Sequence, residues 1–218
     1  QIAVPMAPHF DRVLAVDLEP DMIDVGREVA HQAGVTHINW QVGRAEELSI
    51  ESGSVDLLTI GSAFHRLERE LVAARVKEWL RPDGALVVMG YGPAPHSTEP
   101  KPPWQEIMSR VVKKWTGPPS EATRRALSGP LHGEVLESAG YTIEQNEWSV
   151  PRRWTLDELV GLTYSISISS KQQLGDRVDA FEAELRSELL GYDGSGEYDE
   201  ELPFFAIIAR PDRSSMAR

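Results

Sequence analysis

The chain has 218 residues, 41% of them hydrophobic and none of them cysteine, which is enough for one sizeable core and excludes disulfides, thiolate metal sites and cysteine nucleophiles. Its formal charge of -12, from 22 Lys and Arg against 34 Asp and Glu, argues against a general binder of nucleic acid or anionic membrane, because either needs a basic surface to meet phosphates. No apolar run approaches the roughly 18 residues that span a bilayer, and Gln1 to Phe10 lacks the charged start and apolar core of a signal peptide, so a cytoplasmic location is the default expectation.

Val13 to Val16 is a continuous apolar run of the kind found in strands buried on both faces, and Pro20 suits the first turn of a following helix. Met22, Val25, Val29 and Ala33 recur at helical spacing before Gly34, which fits a helix stop. His37 to Val42 and Val55 to Ile60 are the next strand candidates. Val72, Val76, Trp79 and Leu80 form one helical stripe, Arg81-Pro82-Asp83-Gly84 breaks it, and Ala85 to Met89 is again a strand. This alternation predicts an α/β fold with a doubly wound, mostly parallel sheet whose ligands bind beyond the carboxyl ends of the strands.

The second half is less regular. Gly92 to Pro119 is rich in proline around a helix candidate, Trp104 to Trp115, and reads as an excursion over one face. Glu134 to Ala139 leads into a strand near Tyr141 to Val150, and Thr155 and Glu158 have capping-box spacing ahead of a further helix. Leu174, Val178, Phe181, Leu185 and Leu189 make a strong stripe, Phe204 to Ala209 is a final strand, and the acidic stretch Gly191 to Glu201 reads as a solvated loop. One domain over residues 1–218 is expected, with insertions at 93–119 and 152–190.

Asp17 stops the first apolar run. In a doubly wound sheet an acid at this place can accept hydrogen bonds from both hydroxyls of an adenosine ribose; the competing reading is a cap on the helix beginning near Pro20. The order of the segments "VLAVDLEPDMI", "VGRAEELSIESGSVDLLTIGSAFHRLE" and "EWLRPDGALVVMGYG" resembles the class I S-adenosylmethionine-dependent methyltransferases, within them the small-molecule group called type 11. The resemblance covers Gln1 to about Gly92 and implies a seven-strand Rossmann-like sheet with helical lid insertions, and S-adenosylmethionine as cofactor. It implies that Asp17 binds the ribose, that Leu18 and Met22 pack on the adenosine, that Ala45 and Glu46 meet the adenine edge, and that Gly61 and Ser62 line the floor beside the methionine part. Arg44 stands where the family more often has aspartate.

His65 matches a frequent family histidine and, with an ordinary pKa near 6.5, suits base work near neutrality; the alternative is a residue of the cofactor floor. "WTLDELVGLTYSIS" resembles a segment of trans-aconitate methyltransferase relatives in which a helical insertion helps cover the active site, which implies that Tyr164 and Ser165 face a substrate; the competing and favoured reading is the polar, water-facing side of an amphipathic helix. Trp104, Trp115, Trp148 and Trp154 can wall a pocket or pack the lid. Arg66, Lys101, Arg152 and Arg153 are candidates to bind an acidic substrate. The six histidines show no metal-ligand spacing, so no metal is expected.

The family also begins with a strand and glycine-rich turn, which the resemblance places immediately upstream of Gln1 and between the strands at Val13 to Val16 and Val55 to Ile60. We expect the native chain to carry them. The partner is then a small-molecule methyl acceptor, with no nucleic acid and no membrane. Two alternatives stay open: a nicotinamide-dependent dehydrogenase, which also places an acid after its second strand, and a non-catalytic Rossmann-like interaction protein.

Overall fold

Strand β1, Val13–Asp17, ends on the acid as its apolar run predicts. Glu19 stays extended, Pro20 supplies a fixed φ and no N–H in the first turn, and helix α2 spans Pro20–Gln32. Gly34, at φ +68°, takes the left-handed conformation that ends a helix without a Cβ clash. Strand β2, Ile38–Val42, then pairs with β1 in parallel, from Val13 opposite Ile38 to Asp17 opposite Val42. A short helix α1, Ala3–Met6, precedes β1, and Ala7 behind it packs with Ala30 and Ile38.

The structure, a computed structural model, describes residues 2–91, 102–118, 129–165 and 167–212. Lys101 and the proline-rich stretch before it lie outside the described residues.

Strand β3, Val55–Gly61, is followed by helix α3, Arg69–Trp79, and strand β4, Leu80–Tyr91. The break expected at Arg81 to Gly84 occurs inside β4 rather than before it. Val55 pairs with Leu80 and Leu57 with Ala85, so the four intervening residues bulge out of a parallel ladder that has already started. Gly84 is the residue that tolerates this, because a Cβ there would sit 2.7 Å from the Val55 carbonyl oxygen. Four strands form one sheet in the order β3-β4-β6-β5, with β5 at Tyr141–Thr155 and β6 at Glu197–Pro211, while β1 and β2 form a second, two-stranded sheet. Neither β1 nor β3 has a second partner strand among the described residues.

The chain divides into two compact units. The first holds 1–90, 130–146 and 206–218, and the second holds 91–129 and 147–205. In the first unit α3 buries Val72, Ala73 and Val76 and meets helix α5, His132–Ser138, where Lys77 donates to the Ala139 and Gly140 carbonyls at 3.2 and 3.0 Å. The Tyr141 hydroxyl donates to the Ala73 carbonyl at 2.8 Å, and burial pushes its pKa far up.

In the second unit helices α4 (Pro103–Thr116), α6 (Leu156–Ser165), α7 (Lys171–Leu174) and α8 (Val178–Tyr192) enclose Trp104, Leu159, Leu174, Phe181, Leu185 and Leu189. The Thr155–Glu158 capping box forms: Glu158 accepts from the Thr155 N–H at 2.9 Å and Thr155 Oγ1 accepts from the Glu158 N–H at 3.3 Å. Two expectations need correction here. Strand β5 runs past Val150 to Thr155, and the acidic stretch is not all loop: Glu197 to Glu201 is already β6. Tyr198, 2% exposed, is drawn into the apolar core, and Arg153 binds Asp199 at 2.7 Å, so two interactions hold as a strand what charge alone suggests is solvated. Among the described residues no helix is long and apolar enough to cross a membrane.

Leu185 is wholly buried in this helical core. Leu185→Ala is expected to cost about 2–5 kcal/mol through the cavity it leaves, read as a lowered midpoint in urea unfolding; an unchanged midpoint would place Leu185 outside a packed core.

Candidate functional site

A chain of hydrogen bonds joins the segments singled out in the sequence. Asp17 closes β1, and its carbonyl accepts the Gly43 N–H at 3.0 Å, which fastens the end of β1 to the turn after β2. Its carboxylate Oδ1 accepts the Glu19 N–H at 2.9 Å. Glu19 is itself the residue that precedes α2, so Asp17 shapes the approach to the helix and does not cap its first turn. Leu18, the residue after Asp17, is 56% exposed, and Met22, in the first turn of α2, is 53% exposed. An acceptor flanked by two large apolar side chains left in water fits a nucleoside, with hydroxyls for the carboxylate and a flat ring for Leu18 and Met22.

From Gly43 the chain passes Arg44 and enters a short 3-10 turn, Ala45–Glu47. Glu46 Oε1 accepts the Glu68 N–H at 3.1 Å, just ahead of α3. Its side chain is 8% exposed. That bond, the Glu46 N–H and then the Arg44 guanidinium, 3.6 Å from Oε2, hold the carboxyl below the usual glutamate range against the opposing effect of burial. Arg75 answers from α3. Its guanidinium donates to the carbonyls of Glu46 and Leu48 and stacks over the Trp79 ring at 5.2 Å. The turn Ala45–Glu47 and α3 thus cap each other, and one oxygen of Glu46 is committed to that bond.

At the carboxyl end of β3 a Cβ on Gly61 would lie 2.5 Å from Ile2 Cδ1, at the start of α1. α1 also lies against β1 and α2, so it links this strand end to the layer that carries Asp17. Ser62 follows at φ +49°, the left-handed region that costs a side-chain-bearing residue about 1 kcal/mol or more. Its N–H donates to the Met89 carbonyl at 2.8 Å, which holds the turn at the strand end. Phe64, 1% exposed, anchors the next short turn, Phe64–Arg66, and leaves His65 at the surface. Partial burial of the His65 ring, then the guanidinium groups of Arg66 and Arg69, hold its pKa below the ordinary 6.5, so the imidazole is neutral near neutral pH. Arg69 Nη1 donates to the Pro130 carbonyl at 2.7 Å and stands 3.4 Å from His132 Nδ1; since guanidinium only donates, that nitrogen is the acceptor. Burial and then Arg69 lower the His132 pKa as well, and its ring meets Phe64 edge-on at 5.2 Å.

Asp17, Leu18, Met22, Ala45, Glu46, Gly61, Ser62 and His65 all belong to the first unit, and Tyr164 and Ser165 to the second. There the Tyr164 hydroxyl donates to Glu182 at 2.8 Å, and Arg186 binds Glu182 and Asp157. Burial and that acceptor push the phenol up to about 12. Ser165 Oγ donates back to the Leu162 carbonyl at 2.7 Å. Trp104, Trp115 and Trp154 each donate an indole N–H within the second unit, and Trp148 stacks on Phe204 at 5.8 Å. Arg152 and Arg153 are paired with Glu158 and with Asp199 and Glu197. Sequence reasoning missed Arg69, Arg75 and His132. Arg69 and His132 are 63 positions apart, and Arg75 sits among the apolar residues of α3, so no local pattern marks any of them.

Residues 1–88 match the family described as a methyltransferase domain. An uncharacterized methyltransferase of Schizosaccharomyces pombe is 24% identical over 163 residues, covering 74% of this chain and 59% of the relative. The ubiquinone/menaquinone biosynthesis C-methyltransferase UbiE of Rubrivivax gelatinosus is 35% identical over 91 residues, 41% of this chain and 35% of that protein. The chain therefore spans less than two thirds of the length of these relatives. A solved structure of a type II methyltransferase assignment from Anaeromyxobacter dehalogenans superposes with a TM-score of 0.58 at 20% identity, over 94% of this chain and 83% of that one, which establishes the α/β fold.

Because the Glu46 pKa is lowered by folding, the stability it contributes is present at neutral pH and is lost as pH falls through its folded value. Glu46→Gln is expected to cost about 1 kcal/mol at pH 7, with the difference from the parent closing in acid. A gap that stays constant down to pH 3 in urea unfolding would contradict a charge-assisted cap.

Proposed function

On the premise that residues 1–88 carry a class I S-adenosylmethionine-dependent methyltransferase domain, we propose that this chain transfers a methyl group from S-adenosylmethionine to a small organic acceptor. The observation that carries the reading is the exposed Asp17 carboxylate at the end of β1, flanked by exposed Leu18 and Met22 and tied through Gly43 to the turn that holds Glu46.

The cofactor, when bound, supplies a methyl carbon already activated by its sulfonium, so the protein's work is alignment and exclusion of water. Asp17 accepts the ribose hydroxyls. Leu18 and Met22 cover the adenosine faces, and the backbone of Ala45 with the remaining Glu46 oxygen addresses the adenine edge. Gly61, whose missing Cβ admits Ile2 at the strand end, and the left-handed turn at Ser62 carry the backbone beside the methionine part. His65, neutral near pH 7, accepts the proton of an acceptor O–H or N–H as the methyl bond forms. Tyr164 and Ser165 enter this reading as polar residues of a helical insertion that serves substrate binding.

Calorimetric titration with S-adenosylhomocysteine, with NADH as the control, tests the assignment. Asp17→Ala is expected to weaken binding by about 1.5–3 kcal/mol, roughly 10- to 150-fold. A preference for NADH would replace the methyltransferase by a dehydrogenase, and no binding of either would favour an interaction protein. If His65 is the base, kcat/KM rises with pH and levels off at a midpoint below 6.5, since the neutral imidazole is the active form. His65→Gln then lowers kcat far more than cofactor affinity; equal loss in both would make His65 part of the cofactor floor.

A further inference from the structure

We propose that His132 is a positioning residue for His65: its ring, at the tip of α5, holds Phe64 and through it the short turn that presents the base. The inference rests on the methyltransferase reading, in which His65 accepts the proton of the methyl acceptor. The Phe64 and His132 rings meet edge to face, with centroids 5.2 Å apart and planes at 75°. Phe64 is 1% exposed and is bonded directly to His65, so whatever fixes Phe64 fixes the backbone on one side of the base. An edge-to-face pair is directional, because the positive rim of one ring meets the negative face of the other, and it therefore sets orientation as well as contact.

The turn needs a hold from outside. The chain enters it through Ser62 at φ +49°, a conformation that persists only where the surroundings over-determine it. The bonds within the turn are local, from the Arg66 N–H to the Ala63 carbonyl at 2.8 Å and from the Leu67 N–H to the Phe64 carbonyl at 3.2 Å, and a single turn of this kind is not stable by itself. α5 supplies the hold, because it is fastened to α3 at both ends. At the front, Arg69 Nη1 donates to the Pro130 carbonyl at 2.7 Å and to His132 Nδ1 at 3.4 Å. At the rear, Lys77 donates to the Ala139 and Gly140 carbonyls and the Tyr141 hydroxyl to the Ala73 carbonyl. Val135 and Leu136, between these ends, are buried. The bond from Arg69 reaches a ring nitrogen and so restrains the ring that Phe64 meets. His132 therefore touches Phe64 as the tip of a fixed brace, which a side chain on a free loop would not provide.

Amide nitrogen relaxation of the whole chain reads the hold at the His65 backbone. The expected order parameter is about 0.85 in the parent, as for rigid backbone, and falls to about 0.6 or below in His132→Ala, which removes the ring. His132→Phe keeps an aromatic edge for Phe64 and is expected to restore most of the order. The His65 ring is titrated in the same samples. Both variants lack the imidazole at position 132, so a His65 proton affinity about twofold or more higher in His132→Ala than in His132→Phe reports the loss of the ring's partial burial. Calorimetry is expected to give an S-adenosylhomocysteine affinity within about threefold of the parent in both. Should His132→Ala fail to fold, Arg69→Gln, which releases the ring and leaves α5 unaltered in sequence, is expected to loosen the same amide. A His65 amide that keeps parent order in His132→Ala, or in Arg69→Gln where that stands in, overturns the proposal. Equal loosening in His132→Ala and His132→Phe does so too, and so does a loss of S-adenosylhomocysteine affinity of roughly tenfold or more, which would make His132 a support of the cofactor site. Failure of the parent chain to bind S-adenosylhomocysteine is a separate outcome and sinks the methyltransferase reading itself.

Discussion

The candidate site depends on the bond between the Glu46 carboxylate and the Glu68 N–H, with its return from Arg75 to the Glu46 and Leu48 carbonyls. Each partner satisfies backbone groups that the other element leaves open: α3 begins with N–H groups lacking helical acceptors, and the 3-10 turn after β2 ends with carbonyls lacking donors. Charge strengthens both halves, because the acceptor is a carboxylate and the donor a guanidinium held on Trp79. The result places the turn after β2 and the turn after β3 in one frame, and Asp17 joins it through Gly43.

That frame concentrates special features at the carboxyl ends of the strands. Ser62 accepts a left-handed backbone where the first unit's regular elements keep ordinary geometry, and Gly61 tolerates the close approach of Ile2. Strain at a strand end is maintained only if the surroundings over-determine it, and the Ser62 N–H bonded to Met89 with Phe64 buried two residues on does so. The two histidine rings near this turn are both biased to the neutral form by burial and by arginine, which suits proton acceptance. The α/β fold alone supports many chemistries, so the functional reading rests on these residues and not on the sheet.

The second unit solves a different problem. Its helices bury a continuous apolar core and ring it with ion pairs such as Lys114–Glu184 and Arg186–Glu182, while the β5–β6 ladder closes one side through Tyr198. The hydroxyl of Tyr164 is spent on Glu182 inside that ring, which explains in physical terms why an amphipathic helix pattern cannot by itself distinguish a substrate contact from an internal bond.

Local signals were enough for β1, α2, β3 and the capping box at Thr155, because apolar runs, Pro20, Gly34 and the Thr-x-x-Glu spacing act within a few residues. They also marked the acid that ends β1 and the glycine that ends β3, although β1 is only partly buried where its apolar run suggested a strand covered on both faces. They failed where partners are distant. The start of β4 at Leu80 was set by pairing with Val55, the strand at Glu197 to Glu201 by Arg153 and by burial of Tyr198, and the cluster at His65 by residues more than 60 positions away. Sequence by itself determined the alternation, the acid at Asp17 and the histidine at 65, because each depends on short-range chemistry; only the tertiary structure decided which charges meet, because the spacing of Glu46, Arg69, Arg75 and His132 along the chain says nothing of their distance in space.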